Sequence, residues 1–267
     1  MPIASLDGID LYYEREGQGP PLLFISGTGG DLRVKPNVMD GPLPKTFDVV
    51  AYDQRGLGRS AKPDVPYSMA DYADDAAALM DFVGWESARV IGVSFGGMVA
   101  QELVLRRPGK VQRLVLACTS PGGGGGASYP FHAIQHLKGE ERARHLIPIA
   151  DTRRDAAWQA AHPDDFADFI AMASAPDSYA AETGREMGAR RQLEARAGHD
   201  TWERLGEIAC PVMIAAGRYD GIALPATQER MQGRIRGSEL HWFEGGHMFM
   251  IQDRAAHPAI IGFLNAN

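Results

Sequence analysis

The sequence predicts an α/β protein, a mostly parallel sheet with helices on both faces and a helical insertion, and three observations predict it. Short apolar runs alternate with stretches of helical period for three rounds, up to Val111–Ala117. The alternation stops at the glycine run Pro121–Gly126 (PGGGGG), and from Tyr129 to about Glu207 the sequence is helical and strand-poor. It resumes at Pro211, so residues 1–120 and 208–267 read as one core and 121–207 as a cap or lid attached through a flexible hinge.

The elements follow in order. Ile9–Glu14 (IDLYYE), after the turn-like Asp7-Gly8, reads as the second arm of a hairpin. Leu22–Ile25 is a short buried strand running into the loop Ser26-Gly27-Thr28-Gly29-Gly30, where backbone N–H groups can face a ligand. That loop lacks the Gly-Lys-Ser/Thr of a phosphate cradle and does not read GxGxxG, which argues against a nucleotide site. Residues 36–45 carry three prolines and read as irregular, and Phe47–Tyr52 is the next strand. It leads into Asp53–Ser60 (DQRGLGRS), whose charges suit a loop held in place. Ser68–Val83 has helical period, with aspartates in its first turns where they complement the helix dipole. Val111–Ala117, Pro211–Gly217 and Glu239–Phe243 are strands, Pro225–Met231 a helix, and Phe249–Leu264 a closing helix.

The chain has 267 residues, enough for a sizeable core, and a formal net charge of −7. That charge argues against a nucleic-acid footprint or a polybasic membrane patch and favours a small neutral or modestly charged substrate. The N-terminus has no basic segment followed by an apolar one, and no apolar run is long enough to span a bilayer. Cys118 and Cys210 are too few for a disulfide framework, so the expectation is two free thiols in a reducing, cytoplasmic setting.

The chemistry centres on Arg89–Ala100, RVIGVSFGGMVA. A β-branched run meets Gly92, turns at Ser94 and continues at helical spacing. A serine at such a bend sits on strained backbone between very small residues, and the helix that follows aims unpaired N–H groups and its positive dipole end at whatever reacts there. A serine hydroxyl needs a base, and the base an orienting carboxylate. Asp220 in Gly217–Gly221 and His247 in Glu244–His247 both follow strands, where open α/β sheets place ligands. Glu244 competes for the role of acid, and His241 and His257 for that of base. His132 and His136 stand four apart, but Ala133 occupies the place where a zinc-protease helix needs glutamate, so no metal is expected. Arg185, Arg190, Arg191 and Arg196 are open to binding a substrate carboxylate, although Glu182, Glu186 and Glu194 among them favour an exposed, charge-paired helix. Trp158, Phe166, Phe169 and Met172 read as packing the lid onto the core, with an apolar acyl pocket as the alternative.

With the elbow GVSFG, the loop DQRGLGRS, the turns GRYD and GGH, and the order Ser, Asp, His, the chain resembles the serine-nucleophile branch of the α/β-hydrolase fold family outside the insertion. The resemblance implies an eight-stranded type of sheet and a metal-independent, cofactor-free esterase or lactonase acting on a small ester or lactone through an acyl-enzyme. In texture it is similar to 3-oxoadipate enol-lactonases and small arylesterases. It implies Ser94 as nucleophile, His247 as base and then acid, Asp220 as its orienting carboxylate, and the backbone N–H groups of Phe95 and Thr28 as the oxyanion hole. Many relatives begin the Thr28 loop with His-Gly, where this chain has Ser26-Gly27, so the loop is expected to be anchored differently. Carbon–carbon hydrolases, cofactor-free haloperoxidases or perhydrolases share the same triad, and a ligand receptor that retains it is the alternative from another class. Oligomeric state is not legible.

Overall fold

Gly8, at φ 82°, closes a tight turn that folds β1 (Ile3–Leu6) antiparallel onto β2 (Ile9–Glu16). The computed structural model describes residues 2–266. The chain then enters β3 (Pro21–Ile25), two short 3₁₀ turns among the prolines, and β4 (Asp48–Tyr52). Helix α1 (Met69–Phe82) opens with Ser68 and Asp71 capping each other's backbone N–H groups. Strand β5 (Ala88–Val93), helix α2 (Phe95–Arg106) and strand β6 (Val111–Ala117) complete the first half. The insertion supplies α3 (Gly139–Ala150), α4 (Ala156–Ala161), α5 (Pro163–Ala173) and α6 (Arg185–Ala197). Strand β7 (Val212–Gly217), helix α7 (Pro225–Arg234), strand β8 (Glu239–Phe243) and helices α8 (Phe249–Gln252) and α9 (Ala256–Asn265) finish the chain.

The eight strands form one sheet in the order β1-β2-β4-β3-β5-β6-β7-β8, parallel from β4 to β8. Alternation along each strand divides its side chains between two cores. Leu23, Val90, Leu116 and Ile214 meet α1 and α2 through Tyr72, Leu79, Phe95 and Val99, whereas Leu22, Ile91, Val115 and Met213 meet Phe249, Ile260 and Phe263 of α8 and α9. Burial on both faces explains why these strands are apolar throughout. Each such side chain contributes roughly 1.5–3 kcal/mol by leaving water. The register sets Ile25, Gly92, Leu116, Ile214 and Leu240 in one row, so the loops after β3, β5, β7 and β8 emerge along one rim.

Three expectations change. The glycine run is not an open hinge. Gly122 bridges to Gly126 and Asp200, and a Cβ on Gly122 would collide with the His199 carbonyl, so its small size serves close packing. The closing helix is two helices, because the Asp253 carboxylate takes the Ala255 and Glu244 amides (2.9 and 2.8 Å) and turns the chain between them. The insertion's aromatics do not pack onto the core. Phe166 and Phe169 join Ala143, Ile147 and Ile170 to hold α3 against α5, Trp158 stacks on His162, and Met172 is exposed. Cys118 and Cys210 are free thiols. Among the described residues no helix is long and apolar enough to cross a membrane.

Candidate active site

Ser94 joins β5 to α2 at φ 54° and ψ −114°, a backbone conformation costly for any residue with a Cβ. The surrounding structure enforces it. The Ser94 amide donates to the Ala117 carbonyl (2.8 Å), and the Ser94 carbonyl accepts from the Thr119 hydroxyl (2.7 Å) and the Gly97 amide (2.9 Å). A Cβ on Gly92 would strike Gly96 and Gly97, and one on Gly96 would strike the Ile25 and Ser26 carbonyls. These glycines are what let β3, β5 and α2 approach closely enough to hold the bend.

The other two sequence-predicted side chains reach the same point. His247 Nε2 lies 3.0 Å from Ser94 Oγ, and His247 Nδ1 lies 2.8 Å from Asp220 Oδ2. The second carboxylate oxygen of Asp220 accepts the Ile222 and Ala223 amides (2.7 and 2.9 Å), which fixes its orientation in a fully buried setting. The imidazole therefore bridges hydroxyl and carboxylate through its two ring nitrogens. With Nδ1 donating to the carboxylate, Nε2 is the acceptor left for the serine proton. The loops carrying acid and base are laced together by Arg218 N to Phe243 O and Tyr219 N to Gly245 O (3.1 and 2.9 Å). Both are also tied to the end of α3, by Gly221 N to Ile149 O (3.0 Å) and His247 N to Ala150 O (2.6 Å).

The rival residues lie elsewhere. Glu244 pairs with Arg218 (3.1 Å), and His241 pairs with Glu239 (2.9 Å). His257 lines an apolar hollow that His247 also borders, and burial pulls its pKa below the usual histidine value. His132 and His136 are both exposed.

Thr28 and Phe95 flank the bend. Phe95 N begins α2, where the first amides have no partner within the helix. Thr28 and Ser94 line one cavity of about 510 Å³ with Phe131, His247 and Met248. The Thr28 loop is anchored from several sides. Gln54 Nε2 donates to the Ser26 carbonyl (2.8 Å), and buried Asp53 accepts the Leu32 and Arg59 amides (2.7 and 2.8 Å). From α6, Gln192 accepts the Gly29 amide (2.8 Å), Arg196 donates to Thr28 Oγ1 (2.6 Å) and Arg185 pairs with Asp31 (2.9 Å). Burial would raise the Asp31 carboxyl, but hydrogen bonds from Arg33 and Arg185 outweigh it and hold its pKa at about 2.

The expected charge-paired helix is only partly present. Arg191 pairs with Asp64 and Glu194, and Glu182 with Arg33 and Lys62, but Glu186 and Arg190 are both exposed and make no pair with each other. Arg196 is buried rather than exposed, and its hydrogen-bond partners are hydroxyls. The site expected from the sequence does not include Gln192 or Gln54. The only trace of Gln192 is its i, i+4 spacing from Arg196, which puts the two on one helix face.

An α/β-hydrolase fold family model matches residues 20–253. A RutD protein of Variovorax paradoxus, named for carbamate hydrolysis, is 29% identical over 95% of this chain and 96% of its own. The 3-oxoadipate enol-lactonase 2 of Acinetobacter baylyi is 26% identical over 93% of this chain and 90% of its own. Among solved structures, the enol-lactonase from Burkholderia xenovorans LB400 superposes with a TM-score of 0.78 at 23% identity, over 99% of this chain and 100% of that one. Sheet order, elbow and sequence agree, and the chain belongs to the α/β-hydrolase fold family.

Proposed function

We propose that the chain is a serine hydrolase that cleaves a small carboxylic ester or lactone through an acyl-enzyme. One observation carries this reading: the unbroken hydrogen-bonded series from the Asp220 carboxylate through the His247 imidazole to the Ser94 hydroxyl, at the start of a helix. Ser94 Oγ attacks the substrate carbonyl carbon while its proton passes to His247 Nε2. The carbonyl oxygen becomes an oxyanion facing the Phe95 and Thr28 N–H groups and the positive end of α2. On collapse, the carbon–oxygen bond of the ester breaks and His247 returns the proton to the departing alkoxide. In a lactone the released hydroxyl stays tethered to the acyl group. Water then repeats the sequence with the imidazole as base, freeing the carboxylic acid and restoring Ser94.

In this reading residues 1–120 and 208–267 are the catalytic core and 121–207 the lid that shapes the acyl site. The enol-lactonase and RutD relatives support bond cleavage at an activated carbonyl. A fluorophosphonate probe tests it. Labelling is expected on the peptide containing Ser94, absent in Ser94→Ala and strongly reduced in His247→Ala, together with turnover of short-chain p-nitrophenyl esters. Labelling without turnover of any ester or lactone would point instead to a receptor that retains the triad.

A further inference from the structure

Behind the catalytic cavity, between the first turn of α2, the glycine run and α6, lies a second cavity of about 80 Å³. Its polar lining is unusual in having positive and neutral hydrogen-bonding groups with few partners. Arg196 is only 7% exposed, yet its guanidinium bonds to Ser128 Oγ (2.6 Å) and Thr28 Oγ1 (2.6 Å), and it lies over the Phe131 ring at 4.5 Å. No carboxylate joins it, and among the described residues no acidic side chain lines the cavity. Both hydroxyls spend a lone pair on the guanidinium and keep a proton to donate. His199 is also 7% exposed, and its ring has no partner beyond a loose contact with the Ser120 backbone. The Ser120 hydroxyl is likewise buried without a partner.

A buried cation with no counter-charge is costly, and so are buried polar atoms left unpaired. Burial accordingly pulls the Arg196 pKa down to about 10 and that of His199 to about 4. A planar monoanion in the cavity would give Arg196 a counter-charge and offer acceptor oxygens to the Ser128 hydroxyl and the His199 ring, which line the same space. The space accommodates a carboxylate group, and guanidinium bonds to carboxylate are stronger than those to hydroxyls.

We propose that this cavity is a carboxylate-binding subsite in which Arg196, Ser128 and His199 hold either a free small carboxylate or the remote carboxylate of the substrate. The second source rests on the hydrolase reading, and the first does not. Arg196 also bonds Thr28, so the occupied subsite sits one side chain from the proposed oxyanion hole.

Two experiments test the subsite. Isothermal titration with acetate, at constant ionic strength in a bulky sulfonate buffer, is expected to reveal one site weakened ~10-fold or more in Arg196→Met and in Ser128→Ala. The kinetic arm compares p-nitrophenyl hydrogen glutarate with its neutral methyl ester. A substrate-borne carboxylate predicts ~10-fold or greater preference in kcat/KM for the acid, which Arg196→Met abolishes. The ratio is immune to any common loss from a loosened Thr28 loop, and melting temperature reports whether a variant is folded. Acetate binding without substrate preference assigns a free anion, and preference without acetate binding assigns the substrate. Neither signal, or signals that Arg196→Met and Ser128→Ala leave intact, would overturn the proposal. Should no ester be turned over at all, the calorimetric arm still reads the subsite.

Discussion

The two ends of the insertion grip the site by different means. At the end of α3, the carbonyls of Ile149 and Ala150 receive the amides of Gly221 and His247, backbone to backbone. Along α6, the Thr28 loop is held by side chains, from Gln192, Arg196 and Arg185. A backbone anchor does not depend on which side chain stands at the residue that offers it, whereas a side-chain anchor disappears with one substitution. The relation among Ser94, Asp220 and His247 therefore rests first on backbone bonds, to which Gln252 adds a side-chain link by accepting the Gly246 amide (2.8 Å) and donating to Asp151 (3.0 Å). The Thr28 loop, by contrast, is held to the insertion by side chains and is the part of the site most open to retuning by a single change there.

The largest expected effects lie in the hydrogen-bonded series itself. Ser94→Ala and Asp220→Asn should each lower kcat by ~10⁴-fold, the loss general to removing a nucleophile or misdirecting a histidine tautomer. Steady-state kinetics with a p-nitrophenyl ester checks this. The backbone anchor is broken next, by adding a methyl group. A Cβ on Gly246 would collide with the Ala150 carbonyl, so Gly246→Ala should displace His247 and cost ~10²-fold in kcat. Gln192→Ala frees the Gly29 amide and leaves the acid and base loops untouched, so a smaller loss of ~10-fold, carried by kcat more than KM, is expected. Equal losses for these two variants would erase the distinction between the anchors.

A pH dependence sharpens the same contrast. Asp31 pairs with Arg33 and with Arg185 of α6, and its folded pKa, about 2, lies below the ordinary carboxylate value of 3.8. Its contribution to stability is therefore complete above about pH 4 and is lost as pH falls through about 2. Thermal melts of Asp31→Asn from pH 6 to pH 2 should show lower stability at the upper end and a shallower acid slope than the parent. The smallest effect belongs to Glu244→Gln, whose pair with Arg218 spans the acid and base loops but is exposed and screened by solvent, while backbone bonds join the same loops, and a change in kcat under ~2-fold is expected.

The contrast between anchors also explains what was legible in the sequence. Ser94, Asp220 and His247 follow strands, and short-range patterns fix the strands and the helices between them: β-branched runs, glycines at bends, the Ser68–Asp71 cap of α1. Val111–Ala117 and Glu239–Phe243 fall where the pattern puts them. The roles of Gln192 and Arg196 were not legible, because their partners lie 163 and 168 residues away and no local period encodes such a contact. Arg196 reads as one of a run of exposed charges until the fold turns that face of α6 inward. The glycine run misleads for a related reason. Flexible linkers and close-packed turns share one composition, and only the carbonyl of His199 against Gly122 tells them apart. The break at Asp253 rests on a side chain capping amides two residues ahead and nine behind, against a helical period that runs through it.

In the proposed reaction everything turns on the acylation of Ser94. p-Nitrophenyl pivalate, whose bulky acyl group leaves the enzyme slowly, tests it most directly in a rapid-mixing experiment followed by peptide mass mapping. The prediction is a burst of about one nitrophenolate per chain, with the pivaloyl group on the peptide containing Ser94. Steady release with no burst and no adduct, unchanged in Ser94→Ala, would contradict it.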